Sequence, residues 1–374
     1  MMFTNSFNEQ KDYYSVCFNM VKMRYSQFDQ IVDGMNYLCP TDNINVFINF
    51  EMILKFLTGI KDVDSKVQLN PNFDTIIISN MLNLAAHYKR FFVGNNLHTR
   101  VFLYMTDLSS TKFKEYELYE DYRSYYLMKY KNNPKYECMM HIFKEKIFPQ
   151  AKVIFGFIPD VYFVEGKDMD GSLIPLVIGN QDLSYKNFII TSDILETQYN
   201  QYPNFSVFLM KRNPTNQSTT YNLQGYLESG FRLRITEENI ASYLSLYQNR
   251  AFYLALLASY GEKYRCIDRV SDLTPLRVTK CLSDGLYNHV IQPTTESMDL
   301  ISKVLPPQVR DEFLESFALI DFSYKEKKMS KEDIYNIQSQ LVDRFDNNSL
   351  LELNRTKFVN NQLMLEELTQ QFTR

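Results

Sequence analysis

Asn45-Val46-Phe47-Ile48-Asn49 is the stretch that decides the architecture. Three β-branched or aromatic residues between two polar ones, too few for a helix, read as a short buried strand. Thr99-Arg100-Val101-Phe102-Leu103-Tyr104 repeats the pattern and ends in Met105-Thr106-Asp107. Residues 152–157 and 187–191 read as third and fourth strands. Between these runs lie helical segments, at 50–57, in the region up to Phe92, at 113–147 and at 173–178. Strands alternating with helices predict an α/β fold, a central mostly parallel sheet flanked by helices. Sheets of that kind place their sites at the carboxyl ends of the strands. Asn49, Asp107 and Asp193 each stand at or just after such an end. Asp and Asn favour loops for local reasons too, so the recurrence is the signal, not any one position.

Outward from the sheet, residues 6–38 read as helical and are broken by Cys39-Pro40-Thr41-Asp42. A polar stretch covers 211–225, a helix covers 236–260, and 267–286 reads as the end of a helix–turn–helix. Leu305-Pro306-Pro307 suggests a boundary, with two or three helices beyond it. Ser330, with Asp333 three positions on, has the spacing of a helix cap. Three regions follow: a helical N-terminal extension (1–43), an α/β domain (44–300) and a helical C-terminal region (301–374). The domain carries an arch-like helical insert near 108–147 and a helix–hairpin–helix-like region near 255–290. The basic run 325–331 reads as a solvated face.

Composition excludes several classes. The 374 residues are 45% hydrophobic and 22% charged, enough apolar material for a sizeable core. Five scattered cysteines with no Cys-x-x-Cys pair speak against a disulfide framework or a zinc site. Four scattered histidines form no triad, and His87 falls within an apolar helical pattern. With 11 glycines and no phosphate-binding glycine loop, P-loop chemistry is not expected. The net charge of −4 argues against broad, sequence-independent affinity for DNA, though not against a local groove. No apolar run approaches the roughly 18 residues of a membrane span, and Met1-Met2-Phe3-Thr4-Asn5 has no leader pattern. The expectation is a cytoplasmic protein without a membrane contact. Heavy use of Asn, Lys, Tyr and Ile fits a phage-infected or low-GC host cell.

Taken in order, the segments resemble the bacteriophage-type 5′-nucleases, a flap endonuclease-like and PIN-like family. Asn49 stands where the family has its first strand-end Asp, and Asp107 where it has the second. Lys112-Phe113-Lys114 and Leu118-Tyr119-Glu120-Asp121-Tyr122-Arg123 resemble the entry to its basic arch. Asp168-Met169-Asp170-Gly171 is similar to Glu-Ala-Asp-Asp, with Gly171 for the last acid. Thr191-Ser192-Asp193-Ile194-Leu195-Glu196-Thr197-Gln198 is similar to Ser-Gly-Asp-x-Asp-x-x-Gln, with Leu195 for the second Asp. Gly261-Glu262-Lys263-Tyr264-Arg265 is similar to Gly-Asp-x-x-Asp, with Arg265 for the second acid. The likeness spans about 44–290.

The resemblance implies a two-ion phosphodiesterase site, its cations ~4 Å apart and held by converging carboxylates. The acids it assigns as metal ligands are Asp107, Asp168, Asp170, Asp193 and Glu262; Asn49, Gly171, Leu195 and Arg265 mark degenerate positions. One Mg2+ or Mn2+, weakly bound, is the expected cofactor. A guanidinium at Arg265 would oppose a second cation by several kcal/mol at an effective dielectric of about 20. The helix–hairpin–helix turn reads Val270-Ser271-Asp272-Leu273-Thr274-Pro275, without the family's glycines, so duplex binding there should be impaired. In the arch, Lys114, Tyr122, Arg123, Tyr126 and Lys129 are the residues expected to stack on and neutralise DNA.

The expected function is that of a catalytically degenerate 5′-nuclease-like protein binding nucleic acid (flapped or single-stranded DNA) or a protein partner. Two alternatives stand beside it. One is an active divalent-metal-dependent 5′-3′ exonuclease or flap endonuclease. The other is a structural or assembly subunit that binds no nucleic acid.

Overall fold

The computed structural model describes residues 43–50, 78, 81, 85–86, 88–89, 98–107, 147–156, 158–167, 171–191, 193–202, 204–212, 218–221, 250–260, 269–270, 272–292 and 297–342. These form one six-stranded sheet with helices on it. The strands are β1 (Asn43–Asn49), β2 (His98–Asp107), β3 (Val161–Lys167), β4 (Tyr185–Thr191), β5 (Phe205–Arg212) and β6 (Ser218–Tyr221), in the order β3-β2-β1-β4-β5-β6. Five are parallel, and β6 closes one edge antiparallel to β5. The helices are α1 (Phe148–Gly156), α2 (Ile174–Gly179), α3 (Arg250–Tyr260), α4 (Pro275–Tyr287), α5 (Met298–Ser302), α6 (Arg310–Ile320), α7 (Phe322–Lys328) and α8 (Lys331–Val342). No helix among the described residues is long and apolar enough to cross a membrane.

The expected strands at 45–49, 99–104 and 187–191 form as β1, β2 and β4. The expected third strand does not. Residues 152–157 belong largely to α1, and the strand follows at Val161–Lys167. In α1 the buried residues are Phe148, Ala151, Ile154 and Phe155, spaced by three, three and one, which is a helical stripe rather than an alternation. The polar stretch at 211–225 contains the end of β5 and all of β6, two strands the composition did not announce.

Register arranges one face of the sheet in three rows. At the amino end, Asn45 lies level with Arg100 and Asn187. Arg100 Nε donates to Asn45 Oδ1 at 2.9 Å, Asn45 Nδ2 donates to Asn187 Oδ1 at 2.8 Å, and the guanidinium covers the Tyr185 ring. In the middle, Tyr162, Phe102, Phe47, Ile189 and Val207 stand side by side. Phe47 stacks on Phe102 and Phe102 on Tyr162, with centroids 4.9 and 5.0 Å apart. At the carboxyl end, Tyr104 and Asn49 are register partners. Strand alternation puts all three rows on one face.

That face shares one buried cluster with α2, α3, α4 and α6, and the cluster runs on through Ile301, Leu305, Phe313, Phe322 and Ile337. The helices past residue 300 therefore share the sheet's core. α8 covers the β3 edge, where Glu165 and Gln340 meet. Ser330 caps α8 as expected: its Oγ accepts from Asp333 N at 3.1 Å, and Asp333 Oδ2 accepts from Ser330 N at 2.9 Å. The run 325–331 is not wholly solvated. Lys327 and Lys331 are exposed, but Lys325 is buried, its Nζ 5.5 Å from the centroid of the Phe322 ring.

Candidate functional site

Because β1, β2 and β4 run parallel, their carboxyl ends gather on one edge of the sheet. Asn49 is the last residue of β1 and Asp107 the last of β2. Tyr104 is level with Asn49, so Asp107 lies three residues further along. Lys167, at the end of β3, is the register partner of Asp107. Gly171 is buried, and a Cβ on Gly166 would come within 3.0 Å of its Cα. The two ends of the segment carrying Asp168 and Asp170 are thus in contact beside the Asp107 end of β2. Asp168, Asp170, Glu262 and Arg265 themselves lie outside the described residues, as do Lys114, Tyr122, Arg123, Tyr126 and Lys129.

After β4 the chain turns at once. Asp193 N donates to Thr191 Oγ1, and Asp193 Oδ1 accepts from Leu195 N at 2.9 Å, capping a 3-10 helix, Ile194–Gln201. Asp193 is half-buried. Residues 195 to 199 are all at most 2% exposed. Leu195 enters the core. Glu196 Oε1 accepts from Asn49 Nδ2 at 2.9 Å. Thr197 Oγ1 accepts from Tyr253 of α3. Gln198 Nε2 donates to the carbonyls of Leu195 (2.8 Å) and Ile320 (3.1 Å), while its Oε1 accepts from Phe322 N (3.0 Å). Tyr199 donates to the carbonyl of Ser172. Residues 194–201 thus form a plug that packs on β5 and is joined to the end of β1 by the Glu196–Asn49 bond.

The electrostatics follow from burial. Tyr104 is wholly enclosed, and burial with the charge of neighbouring Glu196 holds its phenol well above the ordinary value near 10. Glu196 therefore lies between the Asn49 amide that it accepts from and a protonated Tyr104, on which the Asp193 charge also acts. Neither Glu196 nor Tyr104 was a candidate from sequence. Glu196 is the only acid besides Asp193 within the motif at 191–198, and that adjacency to Leu195 is the one signal it offered.

A divalent ion requires several converging oxygens. Asn49 turns its amide N–H, not its carbonyl, toward Glu196. Asp193 already accepts from the backbone, and Leu195 has no donor. Among the described residues no group of three His, Cys, Asp or Glu converges.

The stretch 270–275 has no glycine. Asp272 takes φ 58°, the left-handed region that glycine favours. Arg277 Nη1 donates to the Asp272 carbonyl at 2.9 Å, Arg269 Nε donates to the Leu273 carbonyl at 2.9 Å, and Thr274 caps α4. The turn is held by guanidinium groups binding its own carbonyls.

No family model matches the chain, and no curated protein matches it. Among solved structures, the chain is similar to the bacteriophage T5 D15 protein co-crystallised with metal ions (13% identity, 79% of this chain, 98% of that one, TM-score 0.49). A T5 flap endonuclease pseudo-enzyme–product complex with DNA and metal ions gives the same identity and coverage with a TM-score of 0.46. The T5 5′-exonuclease with bound zinc gives 0.44, again at 13% identity over 79% of this chain and 98% of that one. At these values the likeness assigns no residue and no activity to this chain.

Proposed function

We propose that this chain is a 5′-nuclease-like scaffold without two-ion phosphodiester hydrolysis, and that it works by binding nucleic acid. Flapped or single-stranded DNA is the expected ligand, with a protein partner as the competing occupant. The observation that carries this is the plug at 195–199. Where two-ion chemistry needs oxygen ligands facing an open cleft, this chain has a buried leucine and a glutamate engaged by Asn49. The ordered resemblance of the segments at Asn49, Asp107, Asp168, Asp193 and Glu262 supports the family frame. Any Mg2+ or Mn2+ taken up would rest on Asp107, Asp168 and Asp170, without help from Asn49 or Glu196.

The test is a paired assay on one fluorescent flapped DNA. Incubation with Mg2+ or Mn2+ should leave the DNA intact, while anisotropy should report saturable, salt-sensitive binding. Cleavage lost on Asp193→Ala would replace this reading with that of an active enzyme. Intact DNA with no binding would leave the protein partner.

A further inference from the structure

We infer that Asn49 and Glu196 are an obligate donor–acceptor pair: the amide at the end of β1 is fixed by the buried carboxylate at 196, and restoring an acid at 49 alone would break this edge of the sheet rather than build a cation site. This deepens the reading above, on which β1 ends where the family has its first acid, but the pair itself stands on its own geometry.

The two side chains are 4% and 0% exposed and meet at 2.9 Å. Asn and Asp have nearly the same shape, so packing does not distinguish them at 49; the difference is the N–H donor. An ionised carboxylate only accepts hydrogen bonds. With an acid at 49, two carboxylates would meet in a site closed to water, where like charges disfavour ionisation and leave acceptors facing each other. Tyr104 reinforces the assignment. It is the register partner of Asn49 and is 1% exposed, and the charge of neighbouring Glu196 helps keep its hydroxyl protonated. Gln198 and Tyr199 lock the helix that carries Glu196. These bonds tie the helix to α6, α7 and Ser172 within three residues of Glu196.

The experiment is a double-mutant cycle on the full chain: wild type, Asn49→Asp, Glu196→Gln and both together, unfolded by urea in EDTA and titrated calorimetrically with MgCl2 and MnCl2. Asn49→Asp should lower the folding equilibrium constant roughly tenfold or more, with no recovery in millimolar Mg2+. The double variant inverts the pair, amide on 196 and carboxylate on 49, and should regain most of that loss. If Asn49→Asp fails to fold, a folded double variant still supports the pair, and an unfolded one overturns it. Asn49→Asp that is as stable as wild type in EDTA, or that gains stoichiometric Mg2+ binding with stabilisation, overturns it too, as do additive effects in the cycle. None of these outcomes depends on whether wild type binds or cuts DNA, so the pair and the proposed function fail separately.

Discussion

Gln340 of α8 closes on the backbone of Glu165 in both directions: Glu165 N donates to its Oε1 and its Nε2 donates to the Glu165 carbonyl, each at 2.9 Å. One side chain thereby imitates the neighbouring strand that β3, at the sheet edge, lacks. Glu165 is held further by Lys152 at 2.7 Å. Gln340→Ala should cost about 2 kcal/mol, two partly buried hydrogen bonds at ~1 kcal/mol each, read as a lower urea midpoint. The uncovered edge should also raise self-association in sedimentation, because an unpaired strand is a template for another chain.

Gln198 makes three buried hydrogen bonds, to Leu195, Ile320 and Phe322. Gln198→Ala leaves two carbonyls and one N–H without that partner inside the core. A loss on the order of 3 kcal/mol is expected, with an unchanged denaturant slope. Gln198→Glu should be nearly as damaging, since a carboxylate keeps the acceptor and loses both donors.

A Cβ on Gly179 would stand 2.5 Å from Phe205 Cζ and 2.9 Å from Asn187 Nδ2. Neither neighbour can yield freely. Phe205 stacks on Tyr199 with centroids 5.0 Å apart, and Asn187 is held by Asn45. Gly179→Ala should therefore destabilise by about 1–3 kcal/mol through overpacking, despite its better helix propensity. Thermal unfolding checks this directly.

Tyr88, Tyr104 and Tyr253 are fully enclosed, and burial raises all three phenols above their ordinary value. Unfolded tyrosine loses its proton near pH ~10. Their stabilising contribution is therefore complete below that pH and is lost as pH rises above it. The fall is about 1.4 kcal/mol per pH unit for each group while the folded form stays protonated. Urea midpoints across alkaline pH should show it, and Tyr104→Phe should flatten the slope. Tyrosinate absorbance from these three should appear only together with unfolding.

The sheet was legible where apolar strands end in polar residues: Val46 to Ile48 before Asn49, Val101 to Leu103 before the Asp107 end, Phe188 to Ile190 before Asp193. The third strand was misplaced because Val153, Ile154 and Phe155 favour strands locally, yet Phe148 and Ala151 complete a helical stripe. β3 itself is diluted by Glu165, Gly166 and Lys167. The candidate site was legible as an edge of the sheet, but not as a cluster. Nothing in the local sequence marks Glu196 as buried, and its contact with Asn49, 147 residues away, is what makes it a buried partner. Burial of that kind is a property of the assembled sheet, not of the local sequence.

The central place of β1 carries a consequence for how the chain is made. It pairs with β2 on one side and β4 on the other, and its polar contacts reach 142 and 147 residues ahead. On the ribosome, Val46, Phe47 and Ile48 emerge well before β4 and acquire their second neighbour only after it has emerged. Parallel pairing over such separations is slow, because long loops must close before contacts compensate them. For much of its synthesis the nascent polypeptide therefore presents an unsatisfied apolar strand, and fragments ending before about residue 200 should aggregate rather than fold.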